Sequence, residues 1–372
     1  KHVYKIHTYT QEGRLFEGKT PASAFLNSSY DGSFIAGLME LRYIQSLPVE
    51  RIINYFESHG FTLKKPTAHK LIEKASSLFE NLYKCIRQTA LSDPYKAADE
   101  TYYKILVPEK NSKGKGVRKG YLWVVVGINT RMIYLLYDDG SRSERVILNE
   151  LGSCKGIIQS DGYSPYRKLE SDAYPNITRI PCLQHIKRKF IDCGEKDPDA
   201  KRIVELINAL YQNEHKHKVG VEGWTVEQNL MHRKKYAPDI LGEIKDVLDE
   251  IEERGDLLPK SELQEAITYL RNEWNAVVDI FNYGDTYLDN NMVERMNRYI
   301  SLSRKNSLFF GSHKGAERGA ILYTIALTCR MHKVNLFEYL TDVINRTAEW
   351  QPNTPIEKYR ELLPDRWEKA ND

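Results

Sequence analysis

The chain has 372 residues, 41% hydrophobic and 28% charged, with a net charge of +3. This is the composition of a soluble globular protein, long enough for two or three compact units. The longest apolar run, 121–128, is too short to span a bilayer and no charged-then-apolar signal segment opens the chain, so a cytoplasmic protein without membrane contact is expected. Five scattered cysteines with no Cys-x-x-Cys pair argue against a disulfide framework or a four-cysteine zinc site. The chain opens on Lys1, which leaves room for a DNA-binding or zinc module upstream.

Residues 1–20 are polar and aromatic without a period and read as an extended arm. From 23 to about 90 the pattern is helical. Phe34, Leu38, Leu41 and Ile44 mark one helix. Pro48 opens a second through Val49, Ile52, Ile53 and Phe56, ended by His59-Gly60, and Thr67 after Pro66 caps a third through Leu71, Ile72, Leu78 and Leu82. With Lys64, Lys65, His69 and Lys70 after the turn, the region 1–92 resembles a helix-turn-helix; a plain bundle covering the next domain is an equal reading.

At Tyr95 the period changes. Segments 102–107, 121–128 and 132–137 are rich in Tyr, Val, Ile and Leu and predict three successive strands, with 111–119 a basic hairpin tip. A helix over 143–151, a strand over 156–159, a helix from Ser164 and a strand over 177–181 follow. Strand, strand, strand, helix, strand, helix, strand is the order of a ribonuclease-H-like core, a mixed five-stranded sheet with helices, although periodicity alone supports only a mixed α/β domain. The expected core therefore occupies 93–190, an all-helical insertion 191–286, a second core segment with a Glu-bearing helix 287–345, and a Pro- and charge-rich tail 346–372.

The chemistry concentrates late in the chain. Asp289, Asn290 and Asn291 are N-cap types, and Val293, Met296 and Ile300 then give one apolar stripe, which predicts a helix from about Asn291 with Glu294 on its polar side. Residues 291–318 carry six Lys/Arg against two Asp/Glu, so the positive field gathers beside Glu294. Asp99 beside the first strand and Asp161 after a short apolar strand can converge at strand ends, and a helix on the same sheet can add Glu294. Three carboxylates from separate elements suit hard, oxygen-seeking ions such as Mg²⁺ or Mn²⁺. Taken singly, each reads sooner as a turn or loop carboxylate.

Five motifs in one order carry a resemblance: Asp99-Glu100-Thr101; Ser160-Asp161-Gly162-Tyr163 with Tyr166; Cys182-x-x-His185 with Arg188-Lys189-Phe190; Asp289-Asn290-Asn291-x-x-Glu294-Arg295-x-x-Arg298; and Arg304-Lys305-Asn306-x-Leu308-Phe309. From about Pro48 to Trp367 the chain resembles transposases of the bacterial insertion sequence 66 family. The resemblance implies a DDE transposase whose ribonuclease-H-like core is interrupted by a helical insertion. Asp99, Asp161 and Glu294 become its metal-binding catalytic triad, with two Mg²⁺ or Mn²⁺ ions. The implied reaction is cleavage of DNA at transposon ends and transfer of the freed 3′-hydroxyl into target DNA. Lys187, Arg188, Lys189, Arg298, Arg304, Lys305 and Lys314 are the candidate phosphate contacts, and Cys182, His185 and Asn291 supporting residues.

The Cys-x-x-His pair alone offers too few ligands for zinc. It departs from the family in carrying Leu183-Gln184 between its ends. The zinc-binding segment and zipper-like helix usual upstream are not in this chain, which bears on end recognition and on homo-oligomer formation in the synaptic complex; helper proteins of the same element are further partners to expect. Two other readings stand beside this one: a catalytically silent, transposase-derived DNA-binding protein, and a ribonuclease-H-like nuclease acting on RNA or a hybrid.

Overall fold

The computed structural model describes residues 5–18, 23–25, 28–110, 114, 116–194, 197–216, 219, 223–351 and 353–369. In chain order these form the strands β1 (Thr8–Gln11) and β2 (Arg14–Glu17) and the helices α1 (Gly32–Tyr43), α2 (Val49–Ser58), α3 (Lys65–Leu78) and α4 (Glu80–Ser92). The sheet elements follow as β3 (Tyr95–Leu106), β4 (Val117–Gly127), β5 (Ile133–Leu136), α5 (Glu144–Leu151), β6 (Gly156–Ser160), α6 (Ser164–Arg167) and β7 (Ile177–Pro181). Helices complete the chain: α7 (Leu183–Asp192), α8 (Pro198–Lys216), α9 (Val226–Arg254), α10 (Glu262–Ile280), α11 (Asn291–Asn306), α12 (His313–Met331), α13 (Leu336–Ala348) and α14 (Ile356–Arg360). Two compact units result: 1–86 with 305–307 and 318–372, and 87–304 with 308–317.

In the first unit α1 lies along α13 and touches α2 and α3. Asp31 caps α1 by accepting the Phe34 N–H at 2.8 Å, and Gly60, at φ +76°, makes the left-handed turn that ends α2. Val49, Leu63 and Ala68 form a small core with Phe34, Ile53 and Phe56 against it. The expected arm contains a paired hairpin, β1 on β2, turned at Glu12 and Gly13, both at positive φ. The expected third helix breaks at Phe79 instead of running through Leu82. The Pro-rich tail is packed, with the Tyr339 hydroxyl donating to Leu362 O and Trp367 Nε1 to Asp342 Oδ2, both at 2.7 Å.

The second unit is built on a mixed sheet of order β5-β4-β3-β6-β7. β3, β4 and β5 pair antiparallel, while β6 lies parallel to both β3 and β7. Val124, Val125 and Val126 of β4 are fully buried, as expected of an interior strand covered on both faces. β3 begins seven residues before the expected strand start, so Asp99 lies within it. Residues 95–98 lack a strand-like alternation, but here they are enclosed by β4 on one side and β6 on the other, and the buried Lys96 amine is met by the carbonyls of Asp93 and Lys155. The basic hairpin tip is confined to 107–116, of which 111–113 and 115 lie outside the described residues.

Among the described residues between α7 and α11, the elements are the helices α8, α9 and α10. A reciprocal capping box between Thr225 and Gln228 starts α9, and Gly255, at φ +67°, ends it. A buried ion pair ties these helices to the sheet, and a second one ties them to one another and to the segment after α10. Arg179 of β7 forms a buried ion pair with Glu273 of α10, and Arg233 of α9 holds Glu214 while donating to Thr286 O and Oγ1.

Candidate active site

β3 and β6 run parallel with Ala97 opposite Gln159, so the chain brings Asp99 and Asp161 side by side two residues further on. Clefts beyond the carboxyl ends of parallel strands are the usual ligand positions of α/β sheets. Burial pushes the Asp99 carboxyl up to about 8, and the charges of Glu100 and Asp161 add to the effect. Two donors oppose it: Glu100 N–H at 2.8 Å from Oδ1, and Asn297 Nδ2 at 2.6 Å from Oδ2. Glu100 is also raised, first by burial and then by Asp161, against hydrogen bonds from Arg142 Nε (2.9 Å) and the Tyr166 hydroxyl (3.3 Å). Asp99 and Glu100 thus share a region where burial disfavours their charge, with Asp161 beside them.

The loop after β6 is set by close packing. Asp161 Oδ1 accepts the Tyr163 N–H at 3.0 Å, and Gly162 N–H donates to the Tyr269 hydroxyl of α10 at 2.8 Å. A Cβ at Gly162 would stand 2.5 Å from that hydroxyl, so only glycine fits. Beside this loop opens a cleft of about 370 Å³ whose walls include Asp161, His185, Arg142, Arg188, Lys189 and Tyr269.

A backbone connector delivers Glu294. The Tyr95 hydroxyl donates to Gln159 Oε1 (2.6 Å) and accepts the Tyr287 N–H (3.0 Å), while Gln159 Nε2 donates to Tyr287 O (2.8 Å). Asn290 then reaches Ala98 O from Nδ2 at 3.0 Å and donates its N–H to Cys182 Sγ at 3.2 Å. α11 starts where the sequence places it, with Val293, Met296 and Ile300 buried. Glu294 Oε1 faces Cys182 Sγ at 4.0 Å and His185 Nδ1 at 3.7 Å.

The structure therefore joins the predicted residues in two groups. Asp99 and Asp161 meet at the sheet; Glu294 meets Cys182 and His185, and Asn297, one turn along α11, reaches Asp99. Lys187 is half-buried with its amine 5.8 Å over Tyr211, while Arg188 and Lys189 face solvent along the cleft. Arg298 is exposed one turn beyond Glu294, Asn291 is exposed at the head of α11, and Lys314 is exposed in the first turn of α12. Arg304 is committed locally: its guanidinium lies 3.9 Å over the Tyr102 ring and donates to Tyr102 O. Lys305 falls in the other unit.

Sequence reasoning missed Asn297, Gln159, Arg142 and Tyr269, and read Asn290 as a helix cap rather than as the tie to Ala98 and Cys182. Only Asn297 carries a local signal, its i+3 spacing from Glu294.

A family profile described as Transposase IS66 family matches residues 27–318. The chain belongs to the IS66 transposase family. It is also similar to three uncharacterised proteins of Sinorhizobium fredii. One, y4jD, is 25% identical over 370 residues, 96% of this chain and 70% of its own length. A second, y4hP, is 25% identical over 347 residues, covering 87% and 60%; a third, y4qI, is 28% identical over 275, covering 70% and 49%. This IS66 transposase chain thus spans between about half and 70% of these relatives. Among the described residues no helix is long and apolar enough to cross a membrane.

Proposed function

We propose that this IS66 transposase cuts DNA at the ends of its element and joins the freed 3′-hydroxyl to target DNA, using two divalent ions, Mg²⁺ or Mn²⁺, held by Asp99, Asp161 and Glu294. The observation that carries the reading is the meeting of Asp99 and Asp161 on neighbouring parallel strands beside a cleft with basic walls. The strand order with β3 central, antiparallel to β4 and parallel to β6, supports a ribonuclease-H-like core.

The donor set fits the ions. Asp99 and Asp161 offer hard oxygens, and a cation there would offset the burial and neighbouring charges that raise the Asp99 carboxyl. Divalent ions held by these carboxylates would supply Lewis acidity to the attacking water or 3′-hydroxyl and to the leaving oxygen. The chain's own residues do the positioning. Asn297 orients Asp99, Tyr269 fixes the loop that carries Asp161, and α11 brings Glu294 from the connector. Arg188, Lys189 and Arg298 hold DNA phosphates, and Arg142 stays on Glu100 to limit carboxylate repulsion. Helices α1 to α3 add DNA contact, and a second copy of the chain completes the synaptic assembly in the cytoplasm, with helper proteins of the element as further partners.

The test is Mg²⁺- or Mn²⁺-dependent cleavage of a labelled duplex bearing the element's own end. Asp99→Asn, Asp161→Asn and Glu294→Gln are expected to lose at least about 10²-fold in rate while still binding DNA. Equal cutting by wild type and Asp161→Asn would overturn the assignment.

A further inference from the structure

The Cys-x-x-His element has too few ligands only while it is read along the chain. Cys182 is the N-cap residue of α7 and His185 lies in its first turn, so both project from one helix end, and α11 sets Glu294 against them. Cys182 Sγ, a His185 ring nitrogen and a Glu294 oxygen all lie within 4.8 Å of one another. We propose that Cys182 Sγ, His185 Nδ1 and the Glu294 carboxylate form a site for a borderline-soft divalent ion of the Zn²⁺ class, chosen by sulfur and nitrogen where the Asp99 and Asp161 oxygens choose a hard one.

Three features carry this. Tetrahedral zinc, with Zn–S about 2.3 Å and Zn–N and Zn–O about 2.0–2.2 Å, sets its donors about 3.3–3.6 Å apart. The observed 4.0 and 3.7 Å to Glu294 therefore close with shifts of a few tenths of an ångström, and the sulfur-to-imidazole pair, within 4.8 Å, closes by about an ångström at most. Second, His185 Nδ1 is buried and has no hydrogen-bond partner, since the carboxylate at 3.7 Å is beyond hydrogen-bond range; a lone pair aimed at a cation accounts for it. Third, the Cys182 sulfur accepts the Asn290 N–H at 3.2 Å and stands at a helix N-terminus, which favour a thiolate against the burial that pushes the free thiol up; a bound cation displaces that proton to solvent. One thiolate, one imidazole and one carboxylate suit Zn²⁺ or Co²⁺ far better than Mg²⁺, and leave a fourth position open. An ion bound there engages Glu294, so zinc and the cleavage metals draw on one carboxylate. That coupling rests on the cleavage reading; the site itself rests on its donors alone.

The experiment is a titration of the reduced, metal-free chain with Co²⁺, followed by the near-ultraviolet thiolate-to-cobalt band and the visible bands of four-coordinate cobalt. A single saturating equivalent, displaced by Zn²⁺, is expected. The thiolate band should vanish in Cys182→Ser, and affinity should fall by more than about tenfold in His185→Gln and Glu294→Gln. Cys193→Ser, which removes the half-exposed thiol further along the same segment, and Asp161→Asn should leave the spectrum unchanged. Absence of the band, its survival in Cys182→Ser or its loss in Cys193→Ser would each overturn the proposal. Failure of the DNA-cleavage reading would leave the cobalt spectrum as it is, and failure of the metal site would leave Mg²⁺-dependent cleavage intact.

Discussion

Asn297 donates from Nδ2 to Asp99 Oδ2 at 2.6 Å, joining the first turns of α11 to the centre of the sheet. The bond crosses 198 residues of sequence and lies one helical turn beyond Glu294. It gives the buried Asp99 carboxyl its side-chain donor and ties the helix that carries the third proposed ligand to the sheet.

Asn297→Ala removes that donor from a buried carboxyl group, at a cost of about 1–3 kcal/mol. Asn297→Asp should be worse, because it adds a carboxylate to a region already crowded with them. Mg²⁺ should recover more of the loss in the aspartate variant than in the alanine one. Thermal melts of both variants with and without MgCl₂ check this; equal recovery would argue that no cation sits at Asp99.

On the proposed reading, protons and cations compete for Asp99. Its folded pKa of about 8 lies above the unfolded value of about 3.9, so the folded state binds the extra proton between those limits. Stability contributed by that proton is present below pH 4 and is lost as pH rises to 8. Two outcomes are expected in melts at pH 6, 7, 8 and 9. Without metal, Asp99→Asn gains on the wild type as pH rises, and the Mg²⁺-induced rise in Tm of the wild type grows over the same range. A Mg²⁺ effect independent of pH would count against Asp99 as a ligand.

Gly162→Ala places a methyl group 2.5 Å from the Tyr269 hydroxyl and must displace either α10 or the Asp161 loop. The expected loss is about 1–3 kcal/mol, with a larger fall in cleavage rate than Tyr269→Phe produces, since the latter removes only one hydrogen bond. Urea unfolding alongside single-turnover cleavage separates the two effects. Full activity in Gly162→Ala would show that the loop position is not needed.

The basic residues divide by what they already touch. Arg188→Ala and Lys189→Ala, on the cleft wall, should each lower the slope of log affinity against log salt by about 0.9. Arg304→Ala should leave that slope unchanged and instead lower stability, because its guanidinium is spent on Tyr102. DNA binding at several salt concentrations decides; a slope change in Arg304→Ala would return that residue to the phosphate contacts.

What was legible in the sequence depended on whether the cause was local. The strand at 177–181 and the helix from Asn291 were readable because an apolar run and an N-cap with a periodic stripe are written in consecutive residues. The first half of β3 was not: Tyr95-Lys96-Ala97-Ala98 has no strand pattern of its own, and its conformation comes from two neighbouring strands. The sequence singled out the acidic residues by motif and expected Asp99 and Asp161 to converge, as they do; that Glu294 lies against other groups was not legible. That Glu294 faces Cys182 and His185 while Asn297 meets Asp99 follows from the rotation of α11, which is set by Asn290 on Ala98. The turn at Glu12-Gly13 was written in the sequence and still overlooked, because the residues on either side of it have no apolar alternation to mark a hairpin.

The grip on the connector is made on main-chain atoms: Tyr95 and Gln159 hold the N–H and the carbonyl of Tyr287, whose own side chain is exposed. Such a grip reads position rather than identity. As sequences drift, the residue at 287 is free to change and the helices before it are free to lengthen or shorten. The interval from 287 to 294 is not, since one residue added or lost there turns the helix by about 100° and carries the carboxylate away from every group it faces.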